Sequence, residues 1–242
     1  MIWCLHGFLG RGADWTFLRT ASAAAALPDV ITPDLFAPRS SLGPKGESLA
    51  AWGARFSSYV ASDDPAPVLV GYSLGGRLAL HALLARPSGW RGAVIVSAHP
   101  GLASDGERET RRAEDGRWAQ RFEVGPWDGL LADWDARAAF GGRPATLDRP
   151  EPAYDRAALA QALRSWSLGT QTSLTGRLGT VTCPVLWIAG ADDPRYVEHG
   201  TAAVGALPRG ELRVAEGAGH RVPWEASEWF AASVAEWMKR VL

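Results

Sequence analysis

The residues best suited to chemistry are a serine, a histidine and an aspartate that lie far apart in the chain. Ser73 stands in Gly71-Tyr72-Ser73-Leu74-Gly75-Gly76, between an apolar run, Val68-Leu69-Val70, and a helix-like run over 77–84. Glycines around a serine at a strand-to-helix junction form the elbow pattern G-x-S-x-G, in which a tight turn strains the serine backbone and a neighbouring Cβ would collide. The helix behind it turns free N–H groups and the positive end of its dipole towards charge developing on a bound molecule. Serine alone is a weak base and nucleophile, so it needs a histidine to take its proton and a carboxylate to fix that histidine's tautomer. His220 closes the glycine loop Gly217-Ala218-Gly219-His220 after the last short strand. Asp192 and Asp193 lie in Gly190-Ala191-Asp192-Asp193-Pro194, an acidic turn at the carboxyl end of a strand, where the sites of open parallel sheets gather. The G-x-x-D spacing from Gly190 selects Asp193, with Asp192 as a turn residue and the alternative acid. Two fixed N–H groups are needed for an oxyanion hole; Leu74, after the serine, supplies one, and Phe8 in His6-Gly7-Phe8 the other.

The elements that must carry these residues alternate. Ile2-Trp3-Cys4-Leu5 reads as a buried strand, followed by a glycine loop, a helical segment over 14–26 and a second strand at Val30-Ile31-Thr32. An amphipathic helix over 48–61 leads to the strand at 68–70, the elbow and its helix, and another apolar strand, Ala93-Val94-Ile95-Val96. Continuous apolar strands separated by helices indicate a parallel sheet covered on both faces. After Ser97 the alternation breaks, and helix-like stretches at 107–122, 127–140 and 156–166 contain no convincing strand. It resumes with the strand at 184–189, a helix at 198–206, a strand at 211–214 and a C-terminal helix over 226–240. The predicted organisation is one α/β core, 1–97 and 177–242, with a helical cap, 98–176, inserted after the fourth recognisable strand. The chain order serine, aspartate, histidine is that of the α/β-hydrolase fold. That fold class is expected here, with the leading strands shortened or absent.

Composition narrows the partners. The chain has 242 residues, 47% hydrophobic and 21% charged, with a formal net charge of −1, ordinary values for a folded domain with a sizeable core. Nothing in that balance suggests a nucleic acid or membrane partner. The arginine excess, in which only Lys45 and Lys239 are lysine, is compositional and carries no functional weight alone. Cys4 and Cys183 lie far apart without C-x-x-C spacing or a neighbouring histidine set, so reduced, buried thiols are expected, with no metal and no cofactor. With no signal peptide and no bilayer-length apolar run, the protein is expected in the cytoplasm, as a monomer or small homo-oligomer. Of the 5 histidines, His81 and His199 read as structural or solvated, and His6 as shaping its glycine loop. Asp34 reads as structural.

More selective motifs point further. Leu5-His6-Gly7-Phe8-Leu9-Gly10 with Asp14-Trp15, the elbow with Arg77, and His99-Pro100-Gly101-Leu102 resemble the 2-succinyl-6-hydroxy-2,4-cyclohexadiene-1-carboxylate synthase family of menaquinone biosynthesis. In the cap, Glu107, Arg111, Asp115, Trp118-Ala119-Gln120-Arg121-Phe122, Asp133-Trp134 and Phe140 follow that family, as do Ser167-Leu168-Gly169, Gln171 and Ser173-Leu174. The resemblance implies a lyase that removes pyruvate from an enolpyruvyl cyclohexene bearing several carboxylates, a small polyanionic substrate. It further implies Tyr72, Arg77, Arg111, Trp134 and Arg164 as substrate-binding residues. Arginine's planar fork suits carboxylates better than lysine does. Competing readings are a carboxylesterase or C–C bond hydrolase with Ser73 as nucleophile, and a non-catalytic ligand receptor on a hydrolase fold.

Overall fold

The computed structural model describes residues 1–137, 140–143 and 147–241. Its frame is a six-stranded, wholly parallel sheet of order β2-β1-β3-β4-β5-β6: β1 (Ile2–Leu5), β2 (Val30–Ile31), β3 (Val68–Tyr72), β4 (Gly92–Val96), β5 (Val185–Gly190) and β6 (Gly210–Ala215). The inner strands β1, β3, β4 and β5 are buried along their whole length. Because side chains alternate across a strand, each must present apolar groups to both faces. In β1, Trp3 and Leu5 enter one core cluster while Ile2 and Cys4 enter the other; in β5, Trp187 and Ile188 divide in the same way. Cys4 and Cys183 are both free and buried.

One face is covered by α1 (Thr16–Ala24) and α9 (Ser227–Val241), whose Leu18, Phe230, Val234 and Trp237 pack together. The other face carries α2 (Leu49–Ala61), α3 (Leu74–Ala85) and α7 (Pro194–Ala206). Ser48 caps α2 by accepting from the Ala51 N–H. Helix α3 is buried from Leu74 to Leu84 because the sheet, α2 and the segment above it enclose it on every side. A Cβ on Gly53 of α2 would lie 2.6 Å from the His81 carbonyl carbon, so glycine is what lets α2 and α3 approach.

Between β4 and β5 run α4 (Asp105–Val124), α5 (Trp127–Asp135) and α6 (Arg156–Ser165); among the described residues the β-pairing here is a single bridge, Leu102 to Thr172. Helix α4 starts before the expected residue 107 because Ser104 and Glu107 form a capping box. The helix expected over 127–140 ends at Asp135, whose carboxylate is drawn to Arg149 and Arg221; residues 138 and 139 lie outside the described residues. Helix α7 begins four residues before the expected 198, because Pro194 can occupy a first turn, where its missing N–H has no intrahelical partner. The short α8 (Val222–Glu225) precedes α9. The inserted segment is tied to the loop after β1: Tyr154 donates its hydroxyl to the Leu9 carbonyl at 2.9 Å, and the Asp155 N–H reaches the Phe36 carbonyl at 2.7 Å. Among the described residues no helix is long and apolar enough to cross a membrane.

This topology decides where a site can form. From β1 the chain moves to one neighbour, β2, and from β3 to the other, β4. The carboxyl ends of β1 and β3 therefore border a switch point, where a crevice opens in such sheets.

Candidate active site

Ser73 occupies that crevice. Its backbone lies at φ 52°, ψ −111°, outside the conformations an L-residue prefers, and its N–H is held by the Val96 carbonyl at 2.9 Å. The strain is sustained by close packing that leaves the turn no alternative: a Cβ on Gly75 would lie 2.2 Å from the Leu5 carbonyl oxygen, and one on Gly71 would lie 2.5 Å from that of Gly75.

The sheet brings the two distant partners to the serine. His220 Nε2 lies 3.1 Å from Ser73 Oγ, and His220 Nδ1 lies 2.9 Å from Asp193 Oδ2. Asp193 sits at the N-cap position of α7 without making a side-chain cap bond, so its carboxylate is available to the imidazole. An Nδ1–H donated to Asp193 leaves the Nε2 lone pair facing the serine hydroxyl, the tautomer required for proton abstraction. The loop bearing His220 is pinned by Glu225, whose Oε2 accepts the Gly219 N–H at 2.5 Å. The Tyr196 ring stands edge-on to His220 at 4.5 Å. Asp192 points away from the relay and pairs with Arg143.

Phe8 and Leu74 flank Ser73 on the cavity wall. Among the described residues neither backbone N–H finds a backbone acceptor, so both remain available to an oxyanion. His6 shapes the loop that carries Phe8. Its Nδ1–H donates to the Gly7 carbonyl at 2.8 Å, and its Nε2 accepts the Leu35 N–H at 2.9 Å. Burial holds this imidazole neutral, pushing its pKa down to about 4. Asp34 accepts the Gly12 N–H at 2.6 Å, a structural role.

Above Ser73 the space divides into two lobes sharing Phe8, Trp134 and Phe140. The larger, about 690 Å³ including its open mouth, holds Arg77, Arg111, Arg137, His99, Tyr196 and His220. The smaller, about 550 Å³ likewise, is walled by Tyr72, Leu9, Leu147 and Trp224, with Arg149 and Arg221. Arg77 is 8% exposed, donating to Gln171 Oε1 at 2.8 Å and the Trp166 carbonyl at 2.7 Å. Both acceptors are neutral, and among the described residues no carboxylate pairs with it. Burial, with Arg111 nearby, lowers its pKa to about 9. Arg111 is shared with the buried Asp115 at 2.9 Å, and Asp115 also accepts from Ser167 at 2.7 Å. Trp134 packs 4.7 Å from Phe8, with the Arg137 guanidinium 4.3 Å above its ring.

Of the residues expected to bind substrate, Tyr72, Arg77, Arg111 and Trp134 line this cavity, and Arg164 does not. Arg164 lies on the outer side of α6 in a bidentate ion pair with Glu123, whereas its neighbours Leu163 and Trp166 face the cavity. Helical geometry turns position 164 away from positions 163 and 166. Arg137, Arg149, Arg221 and Tyr196 line the site without having been singled out. The sequence signals were Arg137 one turn beyond Trp134, Arg221 directly after His220, and Tyr196 in the Asp193-Pro194-Arg195-Tyr196 run that resembles the family.

A parallel sheet with a strained serine elbow and a serine–histidine–aspartate relay across its carboxyl edge defines an α/β-hydrolase, and the Alpha/beta hydrolase family matches residues 4–233. The 2-succinyl-6-hydroxy-2,4-cyclohexadiene-1-carboxylate synthase of Serratia proteamaculans is 34% identical over 98% of this chain and 92% of its own length. The enzyme of the same name from Pectobacterium atrosepticum is 31% identical over 80% of this chain and 78% of its own. The solved structure of MenH from S. aureus superposes with a TM-score of 0.87 at 21% identity, covering 99% of this chain and 93% of that one. A thermophilic esterase from Thermogutta terrifontis superposes at 0.75 and 21% identity, over 99% and 89%. The chain belongs to the alpha/beta hydrolase family and, within it, to the 2-succinyl-6-hydroxy-2,4-cyclohexadiene-1-carboxylate synthase family.

Proposed function

We propose that this protein is a carbon–oxygen lyase of menaquinone biosynthesis. It eliminates pyruvate from 2-succinyl-5-enolpyruvyl-6-hydroxy-3-cyclohexene-1-carboxylate to give 2-succinyl-6-hydroxy-2,4-cyclohexadiene-1-carboxylate. The observation that carries this reading is the setting of the relay. Ser73 opens onto a cavity holding the buried Arg77, which lacks a carboxylate partner among the described residues, with Arg111 and Arg137 beside it. An acyl pocket for a simple ester would be apolar at that position, whereas this one presents a guanidinium that neutral acceptors orient and that no carboxylate among the described residues neutralises.

The chemistry follows from the geometry. His220 Nε2 takes the Ser73 hydroxyl proton, and Asp193 stabilises the imidazolium. The Ser73 oxygen then removes the ring proton adjacent to the succinyl ketone. Charge moves to the ketone oxygen, which rests on the Phe8 and Leu74 N–H groups. Return of the electron pair forms one ring double bond, shifts the existing one and breaks the carbon–oxygen bond to the enolpyruvyl group. The departing enolate takes back one proton and becomes pyruvate, so no acyl-enzyme forms and no water is consumed. Arg77 and Arg111 hold substrate carboxylates, and Trp134 with Tyr72 packs against its apolar parts. The helical segment 98–176 serves as a cap over the core formed by 1–97 and 177–242.

The test is pyruvate release from the enolpyruvyl substrate, with p-nitrophenyl esters assayed in parallel. Pyruvate release that is lost in Ser73→Ala supports the lyase. Ester turnover without pyruvate release sinks it, and so does full activity in Ser73→Ala.

A further inference from the structure

The smaller lobe carries a charge that the larger lobe does not account for. Its aromatic and aliphatic walls, Tyr72, Trp134, Phe140, Leu147 and Trp224, meet at the guanidinium groups of Arg149 and Arg221. Both arginines converge on one carboxylate. Arg221 donates to Asp135 Oδ1 at 2.5 Å, while Arg149 reaches both Asp135 oxygens, Oδ1 at 3.3 Å. The other bond of Arg221 goes to a neutral acceptor, the Arg143 carbonyl, at 3.1 Å. Two guanidinium charges thus share one directly bonded carboxylate, with Asp14 the next acidic group near Arg149 and Glu225 near Tyr72. Both side chains are only 10% exposed, and the Arg221 guanidinium lies 3.9 Å from the Phe140 ring centroid, so water screens these charges poorly. A guanidinium offers five N–H donors, and Arg221 spends only part of its set on these partners.

An apolar slot ending in two fixed guanidinium groups that share a single bonded carboxylate matches a short unsaturated acid, with its methylene against the aromatic walls and its carboxylate on the arginines. The geometry points to this lobe as the seat of the enolpyruvyl group, with Arg149 and Arg221 as its carboxylate-binding pair. The assignment rests on the elimination reading above. Ser73 lines both lobes, so the ring sits at their junction, the succinyl arm extends towards Arg77 and Arg111, and the leaving group departs on the other side. Pyruvate therefore leaves from a lobe that does not hold the other product.

Fragment inhibition separates the two lobes. Pyruvate and succinate are tested as inhibitors of the wild-type enzyme and of Arg149→Gln, Asp135→Asn and Arg77→Met. Loss of one charge-assisted contact corresponds to roughly tenfold or more in binding. Arg149→Gln is expected to weaken pyruvate about tenfold and leave succinate within about twofold; Arg77→Met is expected to do the reverse. Asp135→Asn removes the competing carboxylate and is expected to tighten pyruvate, a change of opposite sign that misfolding cannot mimic. Unchanged pyruvate inhibition in both Arg149→Gln and Asp135→Asn overturns the assignment. Selective weakening of succinate by Arg149→Gln also overturns it, by placing the succinyl arm here. A wild-type protein that releases no pyruvate from the full substrate, yet binds pyruvate through Arg149 in a direct titration, refutes the lyase and supports the lobe as a site for short carboxylic acids.

Discussion

Replacing Arg77 by methionine separates function from stability at one side chain. Burial and the neighbouring Arg111 lower the Arg77 pKa from its ordinary value to about 9. Its folded pKa lies below its unfolded one, so the unfolded chain holds this proton more tightly, and the destabilisation is fully present below pH 9. At about 1.4 kcal/mol per pH unit, keeping this guanidinium charged in the fold costs roughly 5 kcal/mol. Its bonds to Gln171 Oε1 and the Trp166 carbonyl offset that cost, at roughly 1.5–3 kcal/mol each for a charged donor. The two sides nearly cancel. Arg77→Met, which removes both and fills the volume, is expected to change unfolding free energy by no more than about 2 kcal/mol, or roughly 4–8 °C in melting temperature. Catalysis does not cancel. A carboxylate held in both ground and transition states loses about 2 kcal/mol of binding, which raises KM about thirtyfold with kcat little changed. Arg77→Lys restores charge without the fork that Gln171 and Trp166 orient, and is expected to recover only part of that loss. The assays are steady-state pyruvate release and urea unfolding. A KM within threefold of wild type, or unfolding that is lowered by much more than 2 kcal/mol, refutes the view that Arg77 is held for an anionic ligand.

Glu225→Ala leaves the Gly219 N–H without its acceptor and loosens the loop that aims His220. A loss of roughly 1.5–3 kcal/mol there should lower kcat tenfold or more with KM nearly unchanged, and Glu225→Gln should restore most of it. Gly75→Ala forces a Cβ to within 2.2 Å of the Leu5 carbonyl oxygen, and is expected to destabilise by more than about 3 kcal/mol or prevent folding. Gly106→Ala, where a Cβ on helix α4 meets nothing within 4 Å, should instead stabilise by up to about 1 kcal/mol, and thermal melts of the pair check the contrast. Stability should also fall in mild acid. Burial lowers both His6 and His81 to about 4, so each is neutral in the fold while its unfolded counterpart takes a proton below 6.5. The contribution is complete above pH 6.5 and is lost as pH falls from there towards 4, by about 2 kcal/mol each at pH 5. Urea midpoints measured from pH 8 to 5 should show the fall, and His81→Leu should flatten it; a pH-independent midpoint would count against neutral burial.

The sequence alone determined what depends on neighbours along the chain. An apolar run, a glycine-flanked serine and a helix-forming run dictate the elbow, because the sterics of the turn involve only residues close in sequence. The glycine loop before His220 and the acidic turn before Pro194 were legible for the same reason, and the parallel sheet follows from strands that must be apolar on both faces. The tertiary structure decided which charges face the cavity. The motif resemblance implies Arg164 at the site and does not single out Arg137, yet Glu123 holds the first on the surface, while Glu114 and the Trp134 ring hold the second over the site. The convergence of Arg149 and Arg221 on Asp135 joins α5, the stretch between α5 and α6, and the histidine loop, stretches that no local pattern connects. A guanidinium on a flexible stem goes where a carboxylate or an aromatic face receives it, and that partner is chosen by packing rather than by spacing.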